Sequence, residues 1–479
     1  MSTEYEVVIG LEVHVELSTE SKVFCACKNE FGGEPNSHCC PVCTGMPGVL
    51  PVLNQKAVEY TVKAGLATNC TISGFSKMDR KGYYYPDLPK AYQISQFDLP
   101  LCKNGHVDIT ADGTDRRVRI NRIHLEEDAG KLLHEGFGGL TAADYNRCGV
   151  PLIEIVTEPD LRSAEEARVF LESLKSTMQY IGVSDCKMQE GSLRCDVNVS
   201  VRERGAKEYG TRTEMKNVNS FRAAVRAIEY EAKRQVKLVG QGQAVTQETM
   251  RWDDARSMSS PMRSKEEAHD YRYFPDPDLM PIILSDDAIQ SIKDSMPELA
   301  DAKKKRFMEQ YGLPEYDAGI LTASRPLAEF FEQCAKEHAN YKAISNWMMS
   351  DLLRLLKDSD TEITDIKVKP SQLASILKMV DAGTVNVTVG KGVFEAVFAT
   401  GEEPEAIVQK KGLGQINDEG ELLSLVNGII KDNPQVVADY KSGKEKAFIF
   451  FVGQVMKATK GKANPKLVNE MIKAELDKA

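Results

Sequence analysis

The sequence predicts an α+β protein whose strands lie in its first part, and three observations carry that expectation. From Val7 to about Met280, short segments of period-two alternation are broken by Gly, Pro and Asn, the pattern of half-buried strands joined by turns. Helical stretches interrupt them, which is the signature of a mixed sheet with helices packed on it. Beyond Asp276–Pro281 the strand signals fade and successive helices follow. At 479 residues the chain exceeds one ordinary core, so roughly two to four domains are expected.

The opening strand, Val7 to Leu17, sets the pattern. Its odd positions (Val7, Ile9, Leu11, Val13, Val15, Leu17) are apolar, while Glu12, His14 and Glu16 share the other face. A helix is expected from about Asn54 to Ala67. The run Val150 to Val156 is apolar apart from Glu154, a carboxylate that is costly in such a strand without a partner or a metal. Before it, Val118 to Glu127 leads into the acidic turn Glu126-Glu127-Asp128 next to Lys131. Ser163 is placed to N-cap a helix running to Tyr180.

Cys195 to Val201 puts Asp196, Asn198 and Ser200 on one face, and Thr211 to Asn217 does the same for Arg212, Glu214 and Lys216. The two segments are expected to pair as a hairpin that gathers carboxylates and cations. Ser220 to Leu238 spaces Phe221, Val225, Ile228 and Val236 as a helix does. Helices are then expected from about Lys293 to Thr400, among them Ala328–His338 and Ala343–Leu356. A turn-rich joint follows at Gly401–Gly414, and a last small helical group ends the chain.

Composition narrows the function classes. The N-terminus lacks both a basic region and an unbroken apolar stretch, and Ala447 to Met456 is too short to span a bilayer. A soluble cytoplasmic protein without membrane contact is the expectation. A net charge of −10 argues against a surface coated in nucleic acid. From Lys441 onward, however, nine lysines face four acids, a local excess of +5. Such a tail is either a phosphate-contacting arm or a solvated helix face.

Five of the eleven cysteines fall between Cys25 and Cys43. Cys25 and Cys27, then Cys40 and Cys43, form two short-range pairs across a Gly/Pro/Asn-containing loop, the spacing of a closed, four-coordinate structural zinc site. His38 and Cys39 stand beside the set and leave the fourth ligand open. Elsewhere, carboxylates with one histidine suit a hard divalent ion of the magnesium type. Magnesium with nearby Lys and Arg is the equipment of phosphoryl transfer. There is no GxxxxGK[ST] loop and no GxGxxG after a strand, so the residues point to a metal-dependent enzyme whose nucleotide site they leave unassigned.

Longer segments carry a resemblance. Gly10–Leu17, Cys40–Asn54, Asp79–Gln96, His124–Lys131, Asp144–Asp160, Arg194–Arg202, Thr213–Phe221 and Tyr271–Leu279 closely resemble, in the same order, the B subunit of aspartyl/glutamyl-tRNA amidotransferase. The resemblance runs through the whole chain. It implies a cradle-shaped catalytic domain over residues 1–292, a helical domain over 293–407 and a YqeY-like tail domain over 408–479. It implies ATP and Mg2+ as cofactors beside a structural Zn2+, and phosphorylation of the side-chain carboxylate of Glu-tRNA(Gln) or Asp-tRNA(Asn), then amidation by channelled ammonia. The implied partners are a glutaminase A subunit, a linking C subunit and the charged tRNA.

By the same resemblance His14, Glu127 and Glu154 match the histidine and two glutamates that hold magnesium, with Glu12, Asp196 and Glu214 as further or water-mediated ligands. Lys81, Tyr85 and Lys90 are expected along the nucleotide or channel region, and Arg212 and Lys216 at phosphate or the tRNA end. Glu127, Lys81 and Glu214 are the expected catalytic set. Cys25, Cys27, Cys40 and Cys43 match the zinc ligands, and Lys457, Lys460, Lys462 and Lys466 are the tail's candidates for tRNA. An ATP-dependent ligase acting on a small-molecule acid and a non-catalytic zinc-stabilised RNA-binding module are the competing readings. No serine–lysine amidase pattern is present, so ammonia must come from a partner or from free ammonium.

Overall fold

The computed structural model describes residues 4–136, 138–264, 271–413, 419–442, 444–459, 463 and 465–478. It divides into two units, Met1–Leu299 and Ala300–Ala479. The first break therefore falls after the expected boundary at 292, which lies inside the helix Asp286–Asp294. Ser285 caps that helix by accepting a hydrogen bond from the Ala288 amide, and the helix packs on the first unit's own helix Gln55–Ala67. Met296 and Leu299 extend the same apolar core.

The first unit is built on a sheet of nine strands among the described residues. From one edge to the other they are Met258–Ser264, Glu248–Asp253, Thr213–Val218, Leu193–Glu203, Tyr5–Glu16, Pro151–Thr157, Thr114–Glu127, Cys102–Ala111 and Thr71–Ile72. All neighbouring pairs are antiparallel except Thr213–Val218 with Glu248–Asp253, so the sheet is mixed. The expected pairing of the Asp196 and Glu214 segments is present, with Asn198 opposite Glu214.

The odd residues of the opening strand, Val7 to Leu17, are all buried in one core. Helices Gln55–Ala67, Ala164–Tyr180 and Phe221–Gly240 cover that side. Each begins where the sequence supplies a side-chain acceptor: Asn54 accepts from the Lys56 amide, Ser163 from Glu166 and Ser220 from Ala223. Phe170, Leu171, Leu174, Ala224, Ala227 and Ile228 meet the sheet from these helices. Since the helices take one face, the even residues of the central strands are left on the other. A small three-stranded sheet, Phe274–Pro275 with Asp79–Gly82 and Tyr92–Ser95, carries Lys81.

The second unit is helical and holds two separate apolar cores. One runs from Phe307 to Val408, the other from Leu422 to Leu476. The boundary expected at 408 falls inside the helix Pro404–Lys410, because Ile407 and Val408 pack into the first of these cores. The helix Tyr341–Trp347 passes through a π turn, Met348–Leu352, into Leu353–Ser359. Among the described residues no helix is long and apolar enough to cross a membrane.

Gly65 marks a close approach between helix and sheet. A Cβ there would fall 2.4 Å from Cys102 Sγ and 2.9 Å from Ile72 Cδ1. Helix propensity favours alanine by about 1 kcal/mol, but overpacking of this kind costs about 1–3 kcal/mol. Gly65→Ala is therefore expected to lower stability despite sitting in a helix, read as a lower urea midpoint for the first unit.

Candidate active site

Register brings the charged residues of five strands onto the uncovered face. His14 stands opposite Glu154 on one side and Arg194 on the other, and Glu154 stands opposite His124. One step along, Glu12 faces Asp196. Glu12, His14, His124, Glu154 and Asp196 line a cleft of about 480 Å³, which also takes in Lys81, Arg122, Glu126, Asn198, Arg212, Glu214, Lys216, Tyr271 and Tyr273.

Two carboxylate-rich groups sit side by side in the cleft. In the first, single ligand atoms of His14, Glu126 and Glu154 lie within 4.8 Å of one another. Glu154 Oε2 is 3.6 Å from His14 Nε2 and 3.5 Å from His124 Nε2, and His124 Nε2 is 3.3 Å from Glu126 Oε2. Ser95 Oγ donates to Glu126 at 3.1 Å. In the second, Glu12, Asp196 and Glu214 converge within the same limit. Lys216 Nζ bridges that group, 2.5 Å from Asp196 and 2.9 Å from Glu214, while Asn198 donates to Glu12 at 3.0 Å and Thr249 to Glu214 at 2.8 Å.

Of the expected site residues, the cleft gathers Glu12, His14, Lys81, Glu154, Asp196, Arg212, Glu214 and Lys216. It does not gather Glu127, Lys90 or Tyr85. Glu127 is 1% exposed and paired with Lys90, and its carboxylate accepts the Ile94 amide at 2.9 Å. Its place beside His14 and Glu154 belongs to Glu126. The reason is a β-bulge. Val118 and Ile120 point to the core, but pairing slips between Val156 and Thr157, and beyond Asn121 the core positions become Ile123 and Leu125. That turns Arg122, His124 and Glu126 into the cleft and sends Glu127 to the other side.

Lys90, paired with Glu127 over the ring of Tyr92, lies outside the cleft, and Tyr85 is exposed without lining it. His124, Glu126 and Arg122 were missed as site residues. The signal for them was the Ile123–Leu125 alternation at the strand's end. In the tail, Lys457 is exposed on the helix Glu445–Ala458, Lys460 and Lys462 lie outside the described residues, and the side chain of Lys466 does as well.

A family model described as the GatB/GatE catalytic domain matches residues 7–290, and one described as the GatB domain matches 329–476. The chain belongs to the family of aspartyl/glutamyl-tRNA(Asn/Gln) amidotransferase B subunits. The B subunit of this amidotransferase from Caldicellulosiruptor saccharolyticus is 63% identical over 478 residues, 99% of this chain and 100% of the relative. Those of Thermoanaerobacter pseudethanolicus and Lachnoclostridium phytofermentans are 59% and 55% identical over 475 residues, covering 99% of this chain and 100% and 99% of their own. These relatives are named as subunits, that is, as chains of a larger amidotransferase.

For a chain of this family the electrostatics of the cleft are informative. Burial pushes the Glu154 carboxyl up, but His124 and His14 outweigh it and hold it well below the usual carboxylate range. Burial pulls His14 down, and the hydrogen bond and charge of Glu154 raise it on balance. Glu12 is pushed up by burial and then by the charges of Glu154 and Glu214. The face thus carries more negative charge than its own cations neutralise, and its donors are carboxylate oxygens and an imidazole, the set that suits a hard divalent cation. Among the described residues neither Lys81 nor Arg212 has a carboxylate partner. Lys81 Nζ lies 4.7 Å from the centre of the Tyr271 ring.

The four expected cysteines also converge. Sulfur atoms of Cys25, Cys27, Cys40 and Cys43 lie within 4.8 Å of one another. A hydrogen bond from the Cys25 thiol, aided by the Cys40 amide at 3.1 Å, pulls Cys43 down to about 5, while Cys25 is raised and burial pushes Cys27 up to about 11. A closed four-sulfur set of this kind could hold a structural metal ion. Cys39 is turned away, donating to the Asn36 carbonyl at 3.2 Å.

Beside His14, Glu16 is pushed up to about 9 by burial and then by Asp128, which is itself held by Arg194 at 2.5 Å. A carboxyl raised in the folded state favours folding fully below its unfolded pKa and loses that contribution as pH climbs to its folded pKa. The window here runs from about 4.5 to about 9. Glu16→Gln keeps the neutral form throughout. In magnesium-free buffer its Tm is expected to gain on that of the unsubstituted chain between about pH 5 and pH 8, and a constant difference would contradict the assignment.

Proposed function

We propose that this chain activates the side-chain carboxylate of Glu-tRNA(Gln) or Asp-tRNA(Asn) with ATP and converts it to the amide, as the B subunit of a complex with a glutaminase A subunit and a linking C subunit. The observation that supports it best is the pair of carboxylate groups on one uncovered sheet face, with Lys81 and Arg212 free of carboxylate partners among the described residues. Neither a small-molecule ligase nor a non-catalytic RNA-binding module accounts for that face and the family membership together.

A carboxylate resists attack by ammonia because its leaving group would be oxide. Transfer of the γ-phosphoryl group from ATP to a carboxylate oxygen forms a mixed anhydride and releases ADP. Ammonia then attacks the carbonyl carbon, the C–O bond to phosphate breaks, and the amide remains after a proton is lost. His14, Glu126 and Glu154 would hold Mg2+, with Glu12, Asp196 and Glu214 as a second group of oxygens. A bound magnesium ion neutralises phosphate oxygens and so lowers the barrier to transfer.

The chain's own groups do the rest. Lys81, kept charged by Tyr273, Glu126 and Tyr271 against the effect of burial, binds phosphate oxygens, as does Arg212. Lys216 spaces Asp196 from Glu214 and holds both carboxylates in place. The aromatic wall of Tyr271 and Tyr273, with Phe97 stacked on Tyr273 at 4.3 Å, limits water at the anhydride. Cys25, Cys27, Cys40 and Cys43 hold a structural Zn2+. The lysine-rich tail with Lys457, Lys460, Lys462 and Lys466 grips the tRNA backbone.

With ammonium chloride as nitrogen donor, Glu126→Gln is expected to cut amide formation on charged tRNA by roughly a hundredfold and to raise the magnesium concentration needed for half-maximal rate. Glu127→Gln is expected to leave that magnesium requirement unchanged. An undiminished rate in Glu126→Gln would remove the catalytic assignment of this face.

A further inference from the structure

Lys22 is a buried cation that the chemistry above does not use. Its side chain belongs to a residue only 1% exposed, and among the described residues no carboxylate reaches its ammonium group. The partners of Nζ are Cys43 Sγ at 3.8 Å and the Tyr145 carbonyl at 3.4 Å. Burying an ammonium group without a counter-charge is costly. One carbonyl does not provide such a charge, and the neighbouring anion available is sulfur.

The backbone aims this side chain at the cysteines. Lys22 N donates to the Cys27 carbonyl at 3.0 Å, Ser21 forms a bridge with Lys28, and Val23 N donates to Gly149 at 2.8 Å. Lys22 is thus tied to the loop that bears the first cysteine pair while its ammonium meets the second. Gly149 borders both side chains: its φ is +77°, and its Cβ position stands at ordinary contact distance, 3.5 Å from Cys43 Cβ and 3.8 Å from Lys22 Cδ.

Four thiolates around a divalent ion leave a net double negative charge in a half-buried loop. We propose that Lys22 is the built-in counter-charge of this tetrathiolate centre, a positioning residue that sets how tightly the metal is held. The inference rests on the zinc reading of the four cysteines. An N–H···S contact to Cys43 stabilises the thiolate that binds the ion, as outer partners of metal ligands do elsewhere.

The test uses the full-length chain, loaded with Zn2+ or Co2+ or depleted of metal, with Lys22→Met and Lys22→Arg. Chelator competition is expected to show zinc held about tenfold or more weakly in Lys22→Met and near its original strength in Lys22→Arg. The Co2+–thiolate charge-transfer bands should shift in Lys22→Met. Its Tm should fall below that of the unsubstituted chain by more with metal bound than without it. Equal zinc affinity in Lys22→Met, or an equal loss of stability with and without metal (failure to fold in both included), would overturn the counter-charge and assign Lys22 to packing. If the unsubstituted chain binds neither ion, the zinc reading itself fails.

Discussion

Glu154 sits between two histidines, His14 from the opening strand and His124 from the strand beyond, each within 3.6 Å of the same carboxylate oxygen. That contact exists because three antiparallel strands place one polar residue each in a single cross-strand row. Their neighbours in sequence, Val13, Val15, Ile153, Ile155, Ile123 and Leu125, are fixed in the core under the helices. A one-residue slip in any of these pairings would exchange the two faces and bury the charges. The apolar core therefore enforces the register, and the register assembles the site.

Functional consequence follows from how unequal the two faces are. One is sealed by helices, so its strands cannot move without exposing buried area. The other carries Glu154, Glu126, Glu12, Asp196 and Glu214 beside His14, with Lys81, Arg122, Arg212 and Lys216 among them. Crowded carboxylates are unfavourable alone, and a divalent cation bound among them would relieve that cost, as in preorganised sites that turn folding energy into binding of a charged transition state. The small sheet bearing Lys81 and the Tyr271–Tyr273 wall bring the missing positive charge and the apolar cover to its rim.

Much of this was legible in the residues. The alternation of Val7 to Leu17 identified the central strand and its polar face, and Asn54, Ser163 and Ser220 marked three helix starts to within a residue. The CxC and CxxC pairs identified a cluster that the fold does assemble. What was not legible depended on a local defect. The bulge at Asn121 reverses the parity set by Val118 and Ile120, so the adjacent glutamates 126 and 127 exchange roles, and Lys90 follows Glu127 away from the cleft. The domain edges expected at 292 and 408 fall within helices for a related reason: Asp286–Asp294 and Pro404–Lys410 belong by packing to the core before them, which composition alone does not register.

Phosphoryl activation of the substrate carboxylate, the step proposed for this face, can be followed through one oxygen atom. Charged tRNA whose glutamyl or aspartyl side-chain carboxylate carries heavy oxygen would be amidated by the assembled complex with unlabelled ATP. The released phosphate is expected to carry one labelled oxygen for each amide formed. Label appearing in AMP instead, or phosphate released without label, would contradict the assignment.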